Sequence, residues 1–176
     1  MHIEYSDFTT CFDSSPVRRS GSWLDLCDKL TGHKGYGSKT DAPVFSPSLY
    51  PEGATRSNEG ARGSMLWVGD FDGNSAQPVV DALTEAGLAA MLYTTWRHGS
   101  SQALRRVSRF RVVVPLDRRC RADQWADVCA TLFALIGQGE SDEHYDAARL
   151  YFYPSCPHPE IRLAWSIQIE GEPFDL

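Results

Sequence analysis

From Met65 onward the apolar residues change their spacing in a fixed order, and that order leaves few folds open to the chain. Met65 to Asp72 is an apolar run of strand length, and Ala76 to Ala86 puts Val79, Val80, Leu83 and Ala86 on one helical face. "LAAMLYTT" is a second strand that ends in polar residues, and "SRFRVVVPL" is a third. Asp123 to Ile136 follows the amphipathic helical period most closely, through Trp125, Val128, Cys129, Leu132, Phe133 and Ile136. "RLYFYP" then gives a fourth strand. "IRLAWSIQI" gives a fifth, with Ile161, Leu163, Trp165, Ile167 and Ile169 alternating against Arg162, Ala164, Ser166 and Gln168. The predicted order is β-α-β-β-α-β-β.

Upstream the pattern is different. "GSWLDLCDKL" reads as a helix capped by Ser22, with Asp25 completing a capping box and Trp23, Leu26, Cys27 and Leu30 forming one stripe. Residues 31 to 64 are rich in Gly, Ser and Pro, too long for an ordinary connection, with a short strand expected around Val44 and Phe45. No internal repeat is present. The order after residue 65 is close to the split β-α-β arrangement of ferredoxin-like and RNA-recognition-like (RRM-like) sheets. The expectation is therefore one α+β domain over residues 1–176. Residues 1–64 form an N-terminal helical and loop-rich appendage, and residues 65–173 form an RRM-like core.

A chain of 176 residues supports one domain with a real core. No apolar stretch approaches the roughly 20 residues of a membrane span, and "MHIEYSDFTT" has neither a basic start nor an apolar run. The cytosol is the expected compartment, with no membrane partner. Five cysteines (Cys11, Cys27, Cys120, Cys129, Cys156) are widely spaced with no C-x-x-C, which favours reduced structural thiols over zinc or disulfides. The net charge of −6 argues against tight non-specific nucleic-acid binding. Yet between Arg97 and Arg121 there are eight arginines and a single acid, Asp117, a local tract suited to phosphates.

"MLWVGDFDGN" poses the sharpest chemical question. Residues two apart on a strand point the same way, so Asp70 and Asp72 share a face. Like charges so close are costly without a positive neighbour. An apolar strand ending in D-x-D, with a glycine turn next, is a common way to present hard oxygens to magnesium or manganese. An Asp-Gly turn with a merely solvated Asp70 is the plain alternative.

Two families present such a pair. "WVGDFDGN" resembles the first motif of haloacid-dehalogenase-type phosphatases, an apolar strand followed by D-x-D-G-[TV], and "MLYTT" resembles their second. That likeness implies a phosphatase with Asp70 as nucleophile. It departs at Asn74, where Thr or Val belongs, in lacking a later strand that ends in an acidic pair, and in placing the D-x-D after 69 residues.

The second likeness is longer. In order, the chain carries the D-x-D strand, then Tyr93-Thr94-Thr95 followed by His98, then R-x-R-x-x-x-P-L from Arg109 to Leu116. An acid ahead of "RLYFYPS" completes the series. The sequence thus resembles the archaeo-eukaryotic primase (AEP) superfamily over roughly residues 34 to 173. Its match is to the primase or primase-polymerase domains of plasmid, phage and mobile-element replication proteins.

The resemblance implies a DNA primase-polymerase, a nucleotidyltransferase that joins NTPs or dNTPs on a single-stranded DNA template with two Mg²⁺ or Mn²⁺ ions. Asp70 and Asp72 would be metal ligands. The third carboxylate would be Asp142, from its spacing before Arg149, or Asp146, from the local form Tyr145-Asp146. His98 would contact the nucleotide's phosphates; the family's nearby Ser is replaced here by Trp96 and Arg97, and Arg97 offers a charge in place of a hydroxyl. Arg109 and Arg111 share one strand face, where guanidinium groups suit phosphate oxygens. Lys39 in the long loop would assist the nucleotide site, and Arg149, Tyr151 and Tyr153 would line a template groove. A helicase or a primase-associated helical module would be the neighbour, leaving this chain a catalytic-core fragment or a stand-alone small protein. A catalytically silent module of the same fold, binding nucleic acid or a replication partner, is the alternative. The intact acidic pair speaks against it, and the altered surroundings of His98 speak for it.

Overall fold

The first 64 residues hold the predicted helix and short strand and, besides them, strands that the sequence does not predict. The computed structural model describes residues 1–73, 75–98, 108–137 and 146–176. Strands β1 (His2–Phe8) and β2 (Val17–Ser22) form an antiparallel pair. β1 buries Ile3, Tyr5 and Phe8, whereas β2 is exposed for most of its length, so "VRRSGS" carries no apolar signal. Helix α1 (Trp23–Thr31) begins as predicted. The Asp25 N–H donates to Ser22 Oγ (3.1 Å) and the Ser22 N–H donates to the Asp25 carboxylate (2.8 Å). Its buried stripe is Trp23, Leu26, Cys27 and Leu30. Strand β3 (Lys34–Tyr36), a 3-10 turn over Lys39–Asp41 and strand β4 (Val44–Ser46) then break up the long Gly/Ser/Pro-rich stretch.

The second half starts with β5 (Ser64–Asp72), α2 (Ala76–Glu85) and β6 (Ala90–Thr94), close to their sequence bounds. Strand β7 (Arg109–Cys120) follows, then α3 (Trp125–Ile136), which ends at Gly137 in the left-handed conformation that glycine tolerates best. Two strand predictions are corrected here. "RLYFYP" contributes only β8 (Tyr151–Phe152), and β8 pairs with β4 in the N-terminal sheet. After β9 (Ser155–Pro157), "IRLAWSIQI" opens as part of a 3-10 turn over His158–Leu163 and becomes strand only at β10 (Ser166–Ile169). Pro157 and Pro159 explain the turn, because proline fixes the backbone angle that a helical first turn needs. The alternation of Ile161 and Leu163 with their neighbours is coincidental.

The result is a mixed α/β fold. One sheet has the order β2-β1-β4-β8, a second the order β10-β6-β7-β5, and β3 pairs with β9 in parallel. In the second sheet every neighbouring pair is antiparallel, so β5 and β6 run parallel with β7 between them. One face of this sheet packs on α2 and α3 through Trp67, Phe71, Leu92, Phe110 and Val112. The other face packs on α1 and the N-terminal sheet through Leu66, Val68, Met91, Tyr93 and Val113. No described helix is long and apolar enough to cross a membrane.

Candidate functional site

The site lies where the inter-sheet face of β5 changes from apolar to charged. Leu66 and Val68 are core residues on that face. Asp70 and Asp72 continue the same two-residue period, with side chains 28% and 64% exposed. Directly opposite on β7 the same change occurs. Val68 faces Val113, Asp70 faces Arg111 and Asp72 faces Arg109. Cross-strand pairing thus supplies the positive neighbours that the acidic pair requires.

Arg111 is the most deeply held of these groups. Its Nε donates to Asp70 Oδ1 (2.7 Å), and its Nη1 donates to the Phe152 carbonyl (2.8 Å) and the Tyr93 hydroxyl (3.2 Å). The guanidinium also lies over the Tyr151 ring, 4.8 Å from its centroid. Burial opposes its charge, but Asp70 and Tyr93 outweigh burial and hold the guanidinium above its ordinary value. Arg149 reaches the other carboxylate oxygen of Asp70 at 3.5 Å, and Arg109 reaches Asp72 Oδ2 at 3.3 Å. These two contacts are looser than the Arg111 bond and more exposed.

Around the pair opens a cleft of about 310 Å³. Besides the two aspartates it is lined by Lys39, Arg97, Arg109, Arg111 and Arg149, so five cations surround two carboxylates in a chain of net charge −6. The Lys39 amine sits 4.7 Å from the centroid of the Phe152 ring. Burial, then Arg111 and Arg97, draw it below the usual lysine value. A cleft of this charge attracts polyanions. Asp70 and Asp72 are hard oxygen donors on one face, and Mg²⁺ commonly takes one or two carboxylates with phosphates and waters completing its shell. The donor set therefore has the right chemistry for such an ion beside a triphosphate.

Other predicted site residues stand elsewhere. His98 does not line the cleft, although Trp96 and Arg97 beside it do. Its Nδ1 accepts the Arg109 backbone N–H (3.2 Å), and its ring meets Trp165 edge-on at 5.9 Å. Burial and the nearby His33 lower its pKa below the ordinary histidine value. Tyr151 is 6% exposed, with its hydroxyl donating to the Val68 carbonyl (3.3 Å), so its ring supports Arg111 and offers no face to a base. Tyr153 does line the cleft, and its hydroxyl bonds Asp7. Asp146 is exposed, and its carboxylate accepts the Ala148 N–H (3.0 Å). It borders a separate small hollow with Asp70 and Arg149. Asp142 lies outside the described residues. Among the described residues no three His, Cys, Asp or Glu side chains cluster as a metal site.

Sequence reasoning missed Trp96, Phe152 and Ser155 as cleft walls. All three sit inside or beside the quoted motifs, and the β4–β8 pairing is what sets Phe152 against Arg111. His33 was also missed; its Nε2 lies 2.8 Å from Thr94 Oγ1, and the link spans 61 residues.

Among solved structures, the chain is similar to the AEP domain of the cyanophage S-2L primase-polymerase. Identity is 14% and the TM-score 0.50, with 99% of this chain and 84% of that one covered. The fold is that of an AEP primase-type domain. Residues 50–167 match the VapE N-terminal domain model, which is most of the chain, and the protein belongs to that family. No curated protein matches the sequence.

Proposed function

We propose that this domain is a metal-dependent nucleotidyltransferase that makes primers on single-stranded DNA during replication of a plasmid, phage or mobile element. One observation carries the reading: an acidic pair set among five cations in a single cleft, on a primase-type fold. Asp70 and Asp72 would hold the metal, with Asp142 as third ligand, and Mg²⁺ or Mn²⁺ would activate the attacking hydroxyl and neutralise the departing pyrophosphate. Arg97, Arg109, Arg149 and Lys39 bind the triphosphate of an NTP or dNTP. Arg111 keeps Asp70 aimed into the cleft. His98 acts by bracing the Arg109 backbone. A helicase or helical primase-associated neighbour follows from the family resemblance. The phosphatase reading is not favoured, because the fold is that of a primase-type domain.

The test is Mn²⁺-dependent primer synthesis on a poly-pyrimidine template. Asp72→Asn should lose about 10²- to 10³-fold in product, the usual scale for removing one electrostatic contact to a transition state. Equal product from wild type and from the Asp70→Ala/Asp72→Ala double variant would sink the catalytic assignment. Phosphate release from a small phosphoester, with a phosphoaspartate at Asp70, would restore the phosphatase.

A further inference from the structure

We infer that the single-stranded template leaves the cleft across Tyr153 and lies in a second hollow between α1 and β3, where Tyr36 stacks on a base and Lys34 meets a phosphate. The inference rests on the nucleotidyltransferase reading above and gives its template a surface separate from the acidic pair.

The hollow measures about 420 Å³, and its lining includes Tyr36, Tyr153, Pro43, Lys29, Lys34 and Asp28. Strand β3 sets one wall. Residues two apart on a strand share a face, and Lys34 and Tyr36 both line the hollow. Gly35 between them turns to the other side, where a Cβ would collide with the His158 ring. Parallel pairing of Lys34–Tyr36 with Ser155–Pro157 fixes that orientation. Tyr153 forms another wall and is itself held. Its hydroxyl donates to Asp7, which also accepts from Arg19 at 2.7 Å, and its ring centroid lies 5.1 Å from that of Phe45. A ring already ordered in this way loses little freedom when a base stacks on it. The Lys29 amine donates to the Tyr5 hydroxyl (2.7 Å), whereas the Lys34 side chain is exposed. Asp7 also lines the hollow, but Arg19 and Tyr153 already engage it.

Two arguments select single-stranded DNA as the occupant. The first is continuity, because Tyr153 lines both this hollow and the cleft of Asp70 and Asp72. A polymer bound in a cleft of about 310 Å³ has to leave across its rim. The second is chemistry: aromatic rings stack on any base while basic side chains follow the phosphates, the usual basis of sequence-tolerant single-strand binding. Two residues that the resemblance assigns to the template face elsewhere. Tyr151 lies beneath the Arg111 guanidinium, and Arg149 faces Asp70.

The test reads binding and not turnover. Fluorescence anisotropy follows a labelled oligo-dT of about 20 nucleotides, longer than such single-strand sites usually span, without metal or nucleotide. Labelled dATP is measured separately by equilibrium dialysis at saturating Mn²⁺. Tyr36→Ala should weaken oligo-dT binding about tenfold, the scale of losing one base–aromatic stack. Lys34→Ala should reduce the slope of log affinity against log salt by about 0.7, the share of one phosphate contact. Both variants should retain dATP at the wild-type level. With 5-iodouracil in the oligomer, photocross-links to the wild type should fall on Tyr36 or Tyr153, a readout that decides even if Tyr36→Ala loses its fold. No oligo-dT binding by wild type, unchanged binding in both variants, or cross-links confined to Trp96 and Phe152 would overturn the path and leave metal-dependent dATP binding in place. Loss of dATP by Tyr36→Ala with an intact fold would overturn it too, by making the hollow part of the nucleotide site. If the strand binds through Tyr36 but wild type makes no primer, the nucleotidyltransferase reading fails and the strand surface stands.

Discussion

At Asp70 a single side chain serves both the fold and the proposed chemistry, and the two roles separate by substitution. Asp70→Asn keeps the shape but leaves the Arg111 charge buried without its counter-charge. Breaking such a pair from one side costs about 3 kcal/mol, because the remaining charge stays desolvated. Urea unfolding should show that loss for Asp70→Asn and almost none for Asp72→Asn, whose side chain is 64% exposed. Asp72 is accordingly the cleaner position at which to test catalysis. A second residue-scale prediction concerns His33 and His98. Burial is the first cause lowering both below the ordinary 6.5, with each histidine in a partly enclosed setting. In the unfolded chain they take up protons first as pH falls, so the unfolded state binds more protons just beneath 6.5 and stability rises with pH there. Urea midpoints should drop between pH 7.5 and 5.5, and His33→Gln should flatten the dependence. A midpoint unchanged across that range in wild type would contradict it.

Strand β5 is the element on which the site depends, and Gly69 is its tightest point. A methyl at Gly69 would lie 2.4 Å from the ring of Trp67, which is fully buried and packs edge-on against Phe133 at 5.2 Å. Replacing glycine in a strand by alanine ordinarily gains about 0.5–1 kcal/mol. Here the ring has nowhere to move, and overpacking at about 1–3 kcal/mol outweighs the gain. Gly69→Ala should lower the unfolding midpoint and weaken dATP retention through the adjacent Asp70. Elements of this kind were legible in the sequence because their signals are local. The Ser22–Asp25 cap, the α3 stripe and the D-x-D strand each declare themselves within a few residues. β2 did not, since an exposed edge strand needs no apolar residue. "IRLAWSIQI" misled in the other direction, its alternation overruled by two prolines. Arg149, Phe152 and Lys39 reach the cleft of the aspartates from segments distant in sequence, a placement no local pattern records.

On the scale of the molecule, the two sheets share one core and cannot be separated. The face carrying Leu66, Val68, Met91, Tyr93 and Val113 is covered by residues from the first 45 positions together with Tyr151. An N-terminal appendage would melt by itself; a shared core melts once. Tryptophan fluorescence and far-ultraviolet circular dichroism should therefore report coincident urea transitions. Two separated transitions would show that the N-terminal sheet is an independent unit.

The returning strand β8 adds a consequence in time. Phe152, whose carbonyl receives Arg111, pairs with Val44 more than a hundred residues earlier in the chain, and Ser155 pairs with Lys34. Contacts so distant in sequence form late, because the loop entropy they cost must first be offset by nearer ones. The adjacent strands β5, β6 and β7 can assemble before β8 docks, with Asp70 and Arg111 already opposite each other. The cleft is thus complete only once the long-range pairings of β8 and β9 have formed. A refolding chain reaches most of its secondary structure before it owns a place for an anion.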